Sequence, residues 1–246
     1  MSKTTGIGER LFLNQYDLSG DIGSLGTIQS ARNQQDVTNI TQVAIARLGL
    51  LYDGHLAYSG FFDTAAGAEH LVLRPLPQNG LTTWATGTAA GAPTGSMLAN
   101  QADYNVTRSQ DGSLTIDTSA DTTGGAGFEW GNLLTTGLQL FASAGAGTYI
   151  DDYVPAFGSL PLPSTHGLSA FLHVKSLGSG TATVAVQDST DHVSWANVSG
   201  AVFTAATGAT SQRIAVGGNV NRYLRVNVTG TFTNLLAAVA VCRKFA

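Results

Sequence analysis

The sequence is poor in cysteine, in charge and in long apolar runs, and each shortage excludes a class of protein. Its one cysteine, Cys242, cannot form an intrachain disulfide, and the apolar residues around it predict a buried thiol. Charged residues make up 11% of the 246 residues, whereas a helical protein would need more Glu, Lys and Leu. No apolar run approaches the ~20 residues that a membrane-spanning helix requires. The opening MSKTTGIGER lacks an apolar segment. We therefore expect no signal peptide, no membrane insertion and folding in the cytoplasm.

The known signatures of catalysis are missing as well. The sequence has neither a Gly-x-x-x-x-Gly-Lys-Ser/Thr loop nor a Gly-x-Ser-x-Gly elbow. Its five histidines are scattered, and we expect His173 to lie at the surface of a strand. Glu129 stands beside Trp130, as a glycosidase acid could, but no second carboxylate can be chosen, so a core or interface role for Trp130 is favoured. We therefore expect that the protein is not an enzyme and that it has no catalytic residue, no metal site and no cofactor.

Glycine and apolar residues are what the sequence has in plenty. The 30 glycines and 43% hydrophobic residues favour many short strands joined by small-residue turns. From Leu168 onward, six alternating segments separated by glycine-rich turns predict a C-terminal β-sandwich domain over residues 159–246. The segment Leu235 to Cys242 is apolar on both faces, which predicts an interior strand. We place the linker at residues 157–165.

Residues 1–158 predict a second β domain with an N-terminal arm and one flanking helix. Strands are expected at Leu56–Phe62 and Leu81–Thr86, and a helix at Ala65–Leu76, where apolar residues follow helical spacing. The stretch Asp36–Leu51 fits a helix by the same spacing, although its Thr and Val content weakens that interpretation. An ordered loop that reaches a neighbouring subunit is the alternative.

A long β-hairpin is predicted over Met97–Asp121. Both of its arms alternate with period two, and Asp111-Gly112 supplies the tight connection. Leu98 and Ala102 are expected on the buried face. The wet face carries hydroxyls, amides and the carboxylates of Asp103, Asp117 and Asp121. Such a face is either ordinary solvated surface or the wall of an acidic channel.

Charge is unevenly distributed along the chain. Residues 1–158 hold 6 Lys/Arg and 14 Asp/Glu, a net charge of −8, whereas residues 159–246 hold 6 Lys/Arg and 2 Asp/Glu, a net charge of +4. An acidic first part argues against nucleic-acid binding there, because binding needs cations against phosphates.

An ordered set of short motifs resembles the virion proteins of long-tailed bacteriophages, especially those of actinobacterial hosts. The segment Asn14–Asp21 is similar to the Asn-x-Tyr-Asp-Leu-Ser-Gly-Asp start of that family. Further motifs follow in the family's order: Arg47-Leu48 through Asp53-Gly54, Phe61-Phe62-Asp63, Ala68-Glu69-His70, Leu76-Pro77, Tyr104 to Arg108, Asp111 to Leu114, Phe128 to Gly131, Val186 to Ser189 and Arg222 to Val226. The set covers nearly the whole chain and resembles the major tail protein, the subunit of the tail tube.

This resemblance implies a tail-tube β-sandwich or barrel that assembles into stacked hexameric rings in the virion tail. It further implies other tail proteins, such as the tape measure and the tail terminator, as partners, and DNA only in transit through the lumen during ejection. Asp103, Asp117 and Asp121 would face that lumen, where like charge keeps phosphates from adhering. Tyr16, Asp17, Ser19 and Gly20 are the candidate assembly residues.

Two alternatives stay open. The protein could decorate the phage head, or it could be a glycan-binding module of the virion surface with Trp195 as a stacking platform, because an exposed tryptophan near polar groups can stack on a sugar.

Overall fold

The computed structural model describes residues 7–152 and 164–244 as a mostly antiparallel β protein with one short helix, which confirms the predicted fold class. In chain order its elements are β1 (Arg10–Leu13), β2 (Tyr16–Asp17), β3 (Ile22–Asp36), β4 (Arg47–Phe61), α1 (Glu69–Leu73), β5 (Gln78–Ala85), β6 (Pro93–Gln101), β7 (Asn105–Arg108), β8 (Leu114–Thr122), β9 (Glu129–Leu133), β10 (Gln139–Phe141), β11 (Gly145–Ala146), β12 (Ile150–Asp151), β13 (Leu168–Ser189), β14 (Ala196–Val202), β15 (Thr210–Val216) and β16 (Tyr223–Arg243).

The chain forms two compact units that alternate along the sequence. The first unit contains the described residues of 1–19, 81–96 and 130–246, and the second contains residues 20–80 and 97–129. The division falls within β5, β6 and β9. The predicted boundary at residue 158 and most of the predicted linker lie outside the described residues, so the predicted domain division stays a prediction.

A long antiparallel pair of strands, β13 and β16, organises the first unit. The two strands pair antiparallel from Leu168 opposite Arg243 to Ser189 opposite Tyr223. Two of the predicted glycine-rich turns, at Gly178–Gly180 and at Gly230, do not form, and the strands continue through them. Gly180 and Gly230 instead take positive φ angles of +84° and +111° inside them, and a Cβ at Gly180 would lie 2.1 Å from a backbone oxygen.

Strands on both sides of this pair complete the core of the first unit. β14 and β15 pair with β13, whereas β9, β10, β11 and β12 pair with β16. Because β16 has neighbours on both edges, the prediction of an interior strand at Leu235–Cys242 is confirmed, and Cys242 is buried as expected. β1 pairs with β2 and β5 around the turn at Asn14, whose φ is +52°.

In the second unit, β4 pairs with β3 along its whole length and with β8 over His55–Phe61. The predicted helix at Asp36–Leu51 is wrong, because this stretch contains the end of β3, a loop and the start of β4. Its β-branched residues have low helix propensity and all lie in the loop between the two strands, where Thr and Asn side chains form turns instead of a helix cap. The alternative, an ordered loop, describes residues 37–46.

The helix predicted at Ala65–Leu76 exists only as α1, a helix of five residues. Its N-cap is Ala68, so neither Asp63 nor Thr64 caps it. The backbone N–H of Asp63 instead donates to the Glu69 carboxylate, and the Glu69 side chain is buried. Of the apolar residues at helical spacing, Ala68 and Val72 are buried, whereas Leu71 and Leu76 are exposed.

The hairpin predicted at Met97–Asp121 is present but interrupted. β6 and β7 both pair with β8, and residues 102–104 separate them. The predicted faces of the first arm are wrong, since Gln101 is buried and Ala102 is exposed. The Gln101 amide donates to the backbone oxygens of Leu73 at 2.9 Å and Asp103 at 3.0 Å, which satisfies its burial. Leu114 is exposed as well.

Candidate functional site

The outer part of the β3–β4 pair is an exposed apolar ribbon. We call residues 37–51 the ribbon tip. Within the described residues, β4 pairs with β8 only from His55 onward, so the strands nearer the tip form a two-stranded ribbon. Ile40 and Val43 are fully exposed. The other large apolar side chains exposed on the tip are Val37, Ile45, Leu48, Leu50 and Leu51.

Local hydrogen bonds order the ribbon tip. The backbone N–H of Val37 donates to the oxygen of Ala46 at 2.9 Å, and the Ala46 N–H donates to the Thr38 hydroxyl at 2.9 Å. The Asp36 carboxylate accepts the hydroxyl and the backbone N–H of Thr38, and these bonds lower the pKa of Asp36. The tip is therefore pre-shaped while its apolar side chains remain in water, which is typical of an interaction surface.

Arg32 braces the ribbon below its tip. Its guanidinium lies 4.8 Å from the ring centroid of Tyr52, and its Nε donates to the backbone oxygen of Leu50 at 3.0 Å. An isolated two-stranded ribbon is only marginally stable in water. The side-chain contacts of Arg32 therefore stabilise the pairing of the two strands.

The three predicted lumen residues lie together on the second unit. Asp117 and Asp121 point outward from β8 and are exposed, because they alternate with the buried Thr118 and Ala120. Asp103 is half-buried, and its carboxylate accepts the backbone N–H of Ser119 at 2.6 Å. Three cross-strand pairs complete what we call the polar face: Ser59 opposite Asp117, Ala57 opposite Ser119 and His55 opposite Asp121.

The polar face also holds a contact between a histidine and a carboxylate, and an open pocket. His55 Nδ1 lies 2.7 Å from the Asp121 carboxylate. A pocket of about 280 Å³ is lined by Ser24, Tyr58, Ser59, Asp103, Asp117 and their neighbours. Within the described residues, no group of three or more His, Cys, Asp or Glu side chains could hold a metal ion. Whether this face lines a lumen stays a prediction.

The candidate assembly residues Tyr16, Asp17, Ser19 and Gly20 adjoin the β1–β2 hairpin. The Ser19 hydroxyl donates to the Asp17 carboxylate and accepts the backbone N–H of Leu11 at 3.0 Å. The Asp-x-Ser pair thus closes a local turn, in which Leu18 is fully buried. Their role in assembly stays a prediction.

Trp195 belongs to an aromatic cluster of the first unit, formed by Tyr149, His192, Trp195 and Tyr223. The Tyr149 ring is central, with centroids 5.3 Å from His192, 5.9 Å from Trp195 and 5.9 Å from Tyr223. Trp130 lies elsewhere: it is half-exposed and makes an edge contact with the buried Trp84 at 6.0 Å. Of the cluster, only Trp195 was singled out from the sequence. The alternation of basic and aromatic residues in Arg222-Tyr223-Leu-Arg225 is a local signal for Tyr223, whereas Tyr149 and His192 are brought to the cluster by the fold.

His173 is buried, so its predicted surface position is wrong. Its Nδ1 lies 2.6 Å from the backbone oxygen of Asn14, and its Nε2 lies 2.8 Å from the Thr83 hydroxyl. The carbonyl can only accept, so Nδ1 carries the proton and Nε2 accepts from Thr83. Burial lowers the pKa of His173 to about 4, and the bond to Asn14 acts against that shift.

We expect stability to fall between pH 6.5 and pH 4 because of His173. Over this range His173 is protonated in the unfolded chain, where its pKa is near 6.5, but stays neutral in the native state. Because the unfolded state binds the additional proton, acid favours unfolding. The loss reaches about 3 kcal/mol at the acid end. Urea unfolding at several pH values should show a shallower pH dependence for His173→Gln than for the native protein. Equal slopes would contradict this assignment.

No family model matches the chain, and no curated protein matches it. Solved structures that are similar over nearly its full length include the following three. One is SPP1 Dit, from the hub adsorption apparatus of phages that infect Gram-positive bacteria, with 6% identity, a TM-score of 0.33, and coverage of 97% of this chain and 99% of that one.

The other two are the phage p2 baseplate in its activated conformation with strontium (10% identity, TM-score 0.34, coverage 96% and 98%) and with calcium (11% identity, TM-score 0.35, coverage 97% and 99%). These TM-scores are too low to carry an argument about function. Within the described residues, no helix is long and apolar enough to cross a membrane.

Proposed function

We propose that this protein is a structural subunit of a bacteriophage tail, and more specifically of the tail tube. The subunits assemble into stacked hexameric rings, and DNA passes through the lumen during ejection. The observation that carries the proposal is the ribbon tip, an ordered apolar surface that has no cover within the described residues of one chain. The ordered motifs that resemble major tail proteins agree with it.

Burial of the ribbon tip against other copies of the chain accounts for its composition. Burying one Val or Ile side chain contributes about 1.5–3 kcal/mol, and the tip exposes several. Closed symmetric assembly also pairs strand edges that would otherwise template aggregation. A protein that decorated the virion as a monomer would leave the apolar side chains of the ribbon tip in water.

The polar face fits the lumen of such a tube. Asp117 and Asp121 are exposed, and Asp103 adds a third carboxylate beside Ser119. Carboxylates repel the DNA phosphates, which keeps a passing duplex from adhering to the wall. The proposed partners are further copies of the chain and other tail proteins, the proposed location is the virion tail, and no catalytic role is proposed.

Purified protein is expected to form hollow rings or tubes in negative-stain electron microscopy, and to sediment as species far larger than 25.4 kDa. The concentration should be raised stepwise, because assembly follows mass action. A species that stays monomeric at every concentration, and is absent from purified virions, would refute the proposal. Maps of the tubes must in addition place Asp117 and Asp121 on the inner wall; an outer position would remove the lumen assignment alone.

A further inference from the structure

The aromatic cluster presents ring surface to solvent in a fixed arrangement. Tyr149 is 45% exposed although it contacts three other rings. His192 stacks on it with an interplanar angle of 13° and takes a φ of +53°, in the left-handed region that few residues other than glycine adopt. The Trp195 indole N–H donates to the His192 backbone oxygen at 3.2 Å, which links the two rings.

The loop that carries His192 and Trp195 is held by one carboxylate. Asp191 accepts the backbone N–H groups of Ser194 at 2.8 Å and Val193 at 2.9 Å, and the Ser189 hydroxyl at 2.8 Å. These bonds, that of Ser194 foremost, hold the pKa of Asp191 well below its usual range. The cluster is therefore pre-organised, which reduces the entropy that a ligand must offset on binding.

Planar polar groups border the aromatic cluster. The Arg225 guanidinium lies 4.3 Å from the Trp195 ring centroid, and its Nε donates to the Gln187 side chain at 2.9 Å. Gln187 in turn donates to Asn197 at 3.0 Å. On another side, Arg222 forms a bidentate pair with Asp151 and lies 5.2 Å from the Tyr223 centroid. Amide, carboxylate and guanidinium groups thus lie beside the partly exposed rings.

We propose that this surface binds a pyranose-containing saccharide. A pyranose has an apolar C–H face that packs on aromatic rings, and a rim of hydroxyls that bond planar amide, carboxylate and guanidinium groups. Tyr149 and Trp195 supply the aromatic surface, and Arg225, with its Gln187 partner, supplies the hydrogen bonds. The site does not depend on assembly into rings, so it stands or falls separately from the proposed tail-tube role.

Saturation-transfer NMR and tryptophan fluorescence with the full chain test the proposal. The probes are neutral hexoses, N-acetylhexosamines and uronic acids at millimolar concentration. We expect saturable binding by at least one class, its loss in Trp195→Ala, partial recovery in Trp195→Phe, and affinity about tenfold lower in Arg225→Met. A preference for uronic acids would assign Arg225 to the sugar carboxylate, and a preference for neutral sugars would assign it to hydroxyls.

Trp130→Ala is the matched control, because Trp130 is half-exposed in the same unit but does not belong to the cluster. It should leave saccharide binding unchanged. Thermal melts of each variant separate a lost site from a lost fold, and Arg225→Met provides a second probe if Trp195→Ala does not fold. The proposal is overturned if the native protein binds none of the sugars, or if binding persists in both Trp195→Ala and Arg225→Met.

Discussion

Replacing Arg243 by Met is expected to lower the free energy of unfolding by about 3–5 kcal/mol, because it leaves the buried carboxylate of Asp152 without its counter-charge. The side chains of this pair are 3% and 4% exposed, and Arg243 Nε lies 2.8 Å from the Asp152 carboxylate. Arg243 also donates to the backbone oxygens of Val220 and Asn221, each at 2.8 Å, so it joins separate parts of the first unit.

Two opposing effects act on the pKa of Asp152. Burial raises this pKa, and the Arg243 guanidinium, with a hydrogen bond from Asn132 at 2.7 Å, acts against the rise. Asp152→Asn combined with Arg243→Met should therefore be less destabilising than the sum of the two single changes. Chemical denaturation of the four proteins measures this coupling, and strict additivity would contradict it.

The neighbouring pair of Asp151 and Arg222 is the matched control. Its geometry is bidentate, at 2.6 Å and 2.7 Å, but the two side chains are 41% and 43% exposed. Solvent screens such a pair, so Arg222→Met should cost no more than about 1 kcal/mol. A similar loss of stability for Arg222→Met and Arg243→Met would mean that burial does not set the difference.

Introducing carboxylates at the ribbon tip is expected to abolish assembly while the fold remains intact. Ile40 and Val43 are fully exposed in the single chain, so Ile40→Asp with Val43→Asp should change the melting temperature little. In the proposed assembly of rings, the same change would remove two buried apolar side chains and force two charges out of water. The expected penalty of several kcal/mol at each contact is repeated around a ring.

Sedimentation velocity and electron microscopy compare this variant with Val193→Asp, which alters an exposed valine outside the tip. The Val193 variant should assemble like the native protein, whereas the tip variant should remain a folded monomer. Rings or tubes in normal yield from the tip variant would show that another surface holds the subunits together.

The sequence was informative wherever the deciding signal is local. Asp111-Gly112 predicted its turn because Gly112 must take a positive φ, which is +92° in the structure. Leu235–Cys242 predicted an interior strand because both of its faces are apolar. The ribbon was missed, because a run of Val, Ile and Thr with irregular polar spacing fits either period, and its exposed apolar side chains give no alternation of burial.

The sequence by itself determined the mostly β class, the buried thiol of Cys242 and the placement of Asp117 and Asp121 on one outward face. Turn chemistry and period-two alternation act over a few residues, so they are legible without a fold. Only the tertiary structure decided which polar side chains are buried. His173 contacts Asn14 and Thr83, which are 159 and 90 positions away in the sequence. Asp152 contacts Arg243, which is 91 positions away, whereas the adjacent Asp151 is exposed to solvent. The cost of burying a polar group depends on partners that the folded chain brings together, and no local pattern encodes them.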